Sequence, residues 1–174
     1  MTIRKILTEP NKTLREKSTP VEKVDGEIQK LMDDMLETMY AAPGIGLAAI
    51  QVGVPKRVIV LDIAPKDGPK NPMYFVNPEI IKKSDNSSIY EEGCLSVPGQ
   101  FAEITRPEKC HVKYIDYYGK PKELIAEGML ATCIQHEMDH LEGILFIEYL
   151  SKLKKSMIVK KLSKQKEQLN RIVI

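Results

Sequence analysis

His136-Glu137-Met138-Asp139-His140 sets two imidazoles four residues apart, with a carboxylate directly after the first. At about 3.6 residues per turn, positions i and i+4 share one face of an α-helix, so both rings can close on a single cation. Glu137 then stands close enough to act as general base on a water held by that cation, which is the arrangement of a metal hydrolase. The bland alternative is a helix whose histidines are ordinary satisfied polar groups. The rest of the chain has to decide between the two.

Outward from this stretch, the pattern turns helical at about Glu127 and a lysine-rich segment from Leu150 to Leu169 predicts a further helix. Arg57–Ile63 and Met73–Ile81 read as strands, and Cys110–Tyr118 alternates more weakly before a Tyr118-Gly119-Lys120-Pro121 turn. Near the start, Ile28, Leu31, Met32, Met35, Leu36 and Met39 recur at helical spacing until Pro43-Gly44 stops them. The class expected is α+β: antiparallel or mixed β-sheets packed around a central helix bearing the two histidines, with an N-terminal and a C-terminal helix. One domain should span residues 1–174, with a core over 1–150 and a basic helix over 151–174.

The 174 residues include no apolar run near the roughly 18 needed to cross a membrane, and charge and proline interrupt the first ten residues too early for a signal peptide. A cytoplasmic protein is the default expectation, and a monomer the expected state. Three cysteines, Cys94, Cys110 and Cys133, lack C-x-x-C spacing, so a disulfide framework is not expected and at least one thiol is free.

A catalytic centre of this kind usually takes three protein ligands, leaving one to find beyond the histidines. A third histidine six residues after the second is excluded, because Phe146 stands there. Cys133 precedes the midpoint of the pair by five residues, about 7.5 Å along a straight helix, too far for a short side chain. Cys110 and His111 are neighbours in a strand and point to opposite faces. Cys94 lies in Glu91-Glu92-Gly93-Cys94-Leu95-Ser96-Val97-Pro98-Gly99, a segment bracketed by glycines that reads as a constrained loop. It suits a ligand, yet it equally suits a small buried hydrophobe. A glutamate from a later helix, Glu167, is the rival third ligand and would make a peptidase. A closed structural site in an RNA-binding module is the non-enzymatic rival.

Three segments in order, Gly44-Ile45-Gly46-Leu47-Ala48-Ala49-Ile50-Gln51, Glu92-Gly93-Cys94-Leu95-Ser96 and Gln135-His136-Glu137-Met138-Asp139-His140, resemble the peptide deformylase family. Ile6-Leu7 to Pro10 and Leu14-Arg15 look like that family's N-terminal strand and turn. The resemblance implies that Cys94, His136 and His140 hold one divalent metal, Fe2+ in the cell and often Zn2+, Ni2+ or Co2+ after purification. It implies a metal-bound water acidified from about 15.7 toward about 7. That water attacks the formyl carbon of N-formyl-methionyl nascent peptides and releases formate, while Glu137 takes its proton and passes it to the departing amine. Gln51 and the Leu95 N–H would meet the developing oxyanion. Ile45, Gly46, Gly93 and Cys133 would contact substrate, the glycines letting a peptide approach the backbone as an added strand. Glu92 and Arg106 would pair and brace the Cys94 loop.

Against the family's pattern, Phe101 replaces an arginine near the peptide cleft, and Met129 and Thr132 stand where larger aliphatics are common. Residues 151–174 carry seven lysines and Arg171 against Glu167, a net charge of +7 that leaves −5 for the rest of a chain of net +2. The resemblance implies that this helix docks on the ribosome, which its charge suits through phosphate contacts.

Overall fold

The computed structural model describes residues 2–172, with side chains as far as Leu169. The Arg171 side chain and residues 173–174 of the expected basic helix lie outside the described residues.

Helix α1 (Gly26–Ala41) starts where the Asp25 carboxylate accepts from the N–H groups of Glu27 and Ile28, satisfying donors that a helix start leaves orphaned. Ile28, Leu31, Met32, Met35 and Met39 form its buried stripe. The chain then enters β1 (Gly46–Ala48) and β2 (Val58–Leu61). These join β3 (Met73–Lys83), β6 (Lys109–Ile115) and β7 (Pro121–Glu127) in one five-stranded sheet of order β1-β2-β3-β6-β7. Every pairing in it is antiparallel.

Strand β2 is apolar and buried at all four positions because the sheet is covered on both faces. Ile59 and Leu61 point with Phe75, Val112 and Ala126 toward Ala131, Ile134 and Leu141 of α2 (Gly128–Leu141). Val58 and Val60 point the other way, with Val76, onto Met32, Met35 and Met39 of α1. Strand alternation therefore splits one short run between two cores. Each fully buried large apolar side chain there contributes about 1.5–3 kcal/mol.

A separate two-stranded sheet is the hairpin of β4 (Ser87–Cys94) and β5 (Val97–Pro107). Beneath it a third apolar cluster joins Val97 and Ile104 to Leu14, Leu145, Phe146, Ile147 and Leu162, the last from α3 (Lys152–Ile172). Helix α2 thus lies at the centre, with Ala131 to Glu137 buried without interruption.

The α+β class and the three helices are as expected, with two corrections. The segment around Cys94 is the tip of a hairpin rather than a free loop: its register runs regularly from Ser87↔Pro107 to Gly93↔Phe101 and then shifts at Cys94, which pairs with Val97, so the backbone is irregular only at Cys94 itself. The N-terminal segment is no strand: Arg4 N–H donates to Thr38 Oγ1 and Leu7 N–H to the Gln51 carbonyl, and a turn at Glu9-Pro10 leads into a 3-10 helix over Lys12–Arg15 that holds Leu14 and Arg15. Among the described residues no helix is long and apolar enough to cross a membrane.

Candidate metal centre

Helix α2 presents His136 and His140 toward the hairpin, whose tip brings Cys94 beside them, while Glu137 packs against Gly46 at the β1 edge of the sheet. One donor atom from each of Cys94, His136 and His140 lies within 4.8 Å of the others, and Cys94 Sγ is 3.3 Å from His140 Nε2. A tetrahedral centre with about 2.3 Å to sulfur and about 2.1 Å to nitrogen holds such donors roughly 3 to 4 Å apart, so a thiolate and two imidazoles here fit a divalent cation. Among the described residues no other trio of such side chains converges this way. Glu167, the rival ligand, is exposed on α3 and outside the cluster.

The ring orientations are set from behind. His136 Nδ1 lies 2.8 Å from Glu92 Oε2, which leaves Nε2 for the cluster. Glu92 in turn accepts two hydrogen bonds from Arg106, Nε to Oε1 at 2.6 Å and Nη2 to Oε2 at 3.0 Å. Arg106 also donates to Asp139 at 2.8 Å, and Tyr149 Oη donates to the same Asp139 oxygen. Burial alone would raise the Glu92 pKa, but His136 and Arg106 outweigh it and hold the carboxyl below its usual value. For His136, burial favours the neutral ring, and contacts with Cys94 and Glu92 overcome it to raise the pKa well above normal. Burial, reinforced by the positive charge of His136, drives His140 well below normal. Its Nδ1 is buried without a protein partner.

Gln51 sits in a 3-10 turn after β1 (Ala49–Val52). The Ala48 N–H donates to Gln51 Oε1 at 2.8 Å, which fixes the amide so that Nε2 faces Ser96 Oγ at 3.0 Å and Cys94 Sγ at 3.6 Å. Glu137 is buried at the cleft wall, and burial first of all pushes its pKa up to about 7. Its Oε2 has no protein partner. Gly46 lies directly against this carboxylate, and Gly44 is equally close to the Leu95 side chain, 2.6 Å from a would-be Cβ to Cδ1. At Gly46 the Glu137 Cδ and Cγ also lie within 3.0 Å of a would-be Cβ, whereas at Gly44 only the methyl end of Leu95 would have to move.

A cleft of about 480 Å³ opens from Glu137 and His136, lined among others by Ile45, Gly46, Gly93, Leu95 and Cys133. Every expected substrate-contact residue lies on this wall, as do Met129, Thr132 and Phe101. Burial pushes the Cys133 thiol up to about 12, so it is a neutral wall group. Cys110 is buried in β6 while His111 faces outward to Glu123 at 2.8 Å. Sequence reasoning missed Ser96, which anchors Gln51, and the Asp139–Tyr149 end of the Arg106 chain. Asp139 was visible only as a filler position of the motif, and nothing in the sequence marks Tyr149.

The polypeptide deformylase family model matches residues 3–156. A peptide deformylase of Pelagibacter ubique is 68% identical over 174 residues, covering 100% of both chains, and one of Phenylobacterium zucineum is 60% identical over 94% of this chain and 97% of its own. Among solved structures, peptide deformylase from Ehrlichia chaffeensis superposes with a TM-score of 0.91 at 43% identity, covering 96% of this chain and 98% of that one. The Acinetobacter baumannii enzyme with Met-Ala-Ser bound superposes with a TM-score of 0.81 at 36% identity, covering 86% of this chain and 99% of that one. With its whole fold and length shared in this way, the chain belongs to the polypeptide deformylase family of enzymes.

Proposed function

We propose that this enzyme removes the formyl group from N-formyl-methionyl peptides by hydrolysis at a divalent cation held by Cys94, His136 and His140. The observation that carries the reading is the convergence of those three donors beside a buried carboxylate, Glu137, on the wall of a largely apolar cleft. One thiolate and two neutral imidazoles leave a dication with net positive charge, which acidifies a bound water and polarises a carbonyl. Fe2+ is the cation proposed for the cell, and Zn2+, Ni2+ or Co2+ suit the same donors.

The remaining steps belong to the chain's own groups. Glu137, with its pKa near 7, takes the proton of the attacking water and returns it to the amine nitrogen as the C–N bond breaks. The Gln51 Nε2–H, already aimed past Cys94, and the Leu95 N–H stabilise the charge that develops on the formyl oxygen. Ile45, Gly46, Gly93 and Cys133, with Met129 and Thr132, receive the methionine side chain, a task for an apolar wall. Glu92 and Arg106 hold His136 in the tautomer that turns Nε2 inward.

Catalysis is assigned to residues 1–150, and the basic helix over 151–174 to ribosome contact in the cytoplasm, with the enzyme acting as a monomer. Its lysines are largely exposed, which suits phosphate contacts.

The deciding experiment measures formate release from formyl-Met peptides, anaerobically with iron, by wild type and Glu137→Ala, together with cation content of Cys94→Ala and Glu167→Ala. Turnover lost with Glu137 and cation lost only with Cys94 are expected. Turnover independent of Glu137 would sink the proposal.

A further inference from the structure

The catalytic cleft and a second groove meet at one residue. Phe101, 66% exposed, lines both the cleft and a groove of about 880 Å³ between β5 and α3. It pairs with Gly93 across the hairpin, and its ring covers that backbone so closely that a Cβ on Gly93 would lie 2.5 Å from Cε1. Beyond Phe101 the groove has an apolar floor of Ala102, Leu150, Met157 and Ile158. Its flank carries Lys154, Lys160, Lys161 and Lys164 against the single carboxylate of Glu103. Lys154, Met157, Lys161 and Lys164 recur three or four residues apart and therefore lie along one side of α3. Among the described residues none of these four lysines is in an ion pair, whereas Lys155 on the adjoining side pairs with Glu148.

We propose that this groove receives the part of the formylated chain that continues past the cleft, and that its lysines favour acidic residues there. The inference rests on the deformylase reading above. An extended peptide leaving the cleft meets Phe101 first, then an apolar floor for alternate side chains with cations on one side, the layout that recognises a peptide strand. Phosphate contacts alone would need the lysines but not the continuous apolar floor. The predicted effect is electrostatic, so it is screened by salt.

The test uses the cation-loaded full chain and compares formyl-Met-Ala-Ser with ten-residue peptides that begin with the same residues and continue in aspartate, serine or lysine. The expected order of kcat/KM is aspartate, serine, lysine, with about tenfold between the extremes at low salt, the effect of a few exposed ion pairs. At 1 M salt, where the screening length is about 3 Å, the difference disappears. Lys160→Glu/Lys161→Glu/Lys164→Glu should leave the tripeptide rate unchanged and invert the order. Equal rates on the three long peptides, or an order the triple variant does not change, overturns the inference alone. A triple variant that loses ribosome cosedimentation but keeps wild-type preferences assigns the lysines to phosphate and also overturns it. No formate release from the tripeptide would remove the deformylase reading and this inference with it.

Discussion

A Cβ at Gly46 would sit 2.9 Å from the carboxylate carbon of Glu137, so strand β1 and helix α2 meet at a position that only hydrogen can fill. Glu137 is 5% exposed and has nowhere to retreat without leaving its place beside His136.

Gly46→Ala should therefore displace the carboxylate while leaving the three cation ligands untouched. Expected is a fall in kcat of about 100-fold or more, the usual worth of a positioned general base, with cation content per chain unchanged. Wild-type formate release from this variant would show that Glu137 is not fixed where catalysis needs it.

Gln51→Leu keeps volume and removes the amide. Losing one oxyanion donor costs about 100- to 1000-fold in kcat, with KM little changed. The Ala48 N–H and Ser96 Oγ, which Gln51 now satisfies, lose a partner in a buried place, at about 1–3 kcal/mol of stability. Denaturant titration beside steady-state kinetics reads both, and a variant weak only in stability would contradict the assigned role.

Arg106 and Glu92 are both about 5% exposed at their side chains. Arg106→Met strands a buried carboxylate and should destabilise the fold by about 3–5 kcal/mol. It also frees the group that orients His136, which should weaken cation affinity about 10- to 100-fold. Adding Glu92→Leu should recover much of the stability and none of the affinity, measured by unfolding and by competition with a chelator. Recovery of both would reduce the pair to a structural contact.

Asp34 is one of the carboxylates that set the acid side, with Glu92, Asp62, Glu142 and Glu148 also held below the usual range. The Asp34 carboxylate accepts from Lys30 at 2.8 Å, the Thr2 N–H at 2.8 Å and Arg4 at 3.0 Å. Lys30 first, with Thr2 and Arg4, outweighs burial and pulls its pKa from 3.8 to about 2. A depressed folded pKa gives stability that is present above pH 3.8 and lost as pH falls toward 2. Unfolding followed across that window should show the loss, and Asp34→Asn should make the slope shallower by the share of one carboxylate. The same slope in the variant would assign the acid sensitivity elsewhere.

The two helices that decide the fold, α1 and α2, were legible because their apolar residues recur at 3.6 and nothing interferes. Strands β2 and β3 were legible as apolar runs. The hairpin was not, and the reason is chemical. Its inward positions include Glu92 and Arg106, which are charged because they serve His136, so the period-2 hydrophobic signal is broken at the very strands that carry Cys94. Strand β7 opens on Pro121-Lys122-Glu123, whose exposed positions hide the alternation of Leu124 and Ala126. The spacing of the histidines was readable as geometry. The partnership of Gln51 with Cys94 and Ser96 joins two segments more than 40 residues apart, and only the motif resemblance brought Gln51 and Cys94 together.

Cys94 and His140 are 46 residues apart, and they belong to different pieces of architecture: a two-stranded sheet and a helix that no backbone ladder connects. A cation bound by both is a cross-link that closes a long loop, as a disulfide would. In the chain-entropy picture such a closure restrains the unfolded state by about 3–5 kcal/mol. The same atoms that do the chemistry are then a staple in the chain's topology. A bound cation would add this staple to the Glu92–His136 and Arg106–Asp139 contacts that already tie the hairpin to α2.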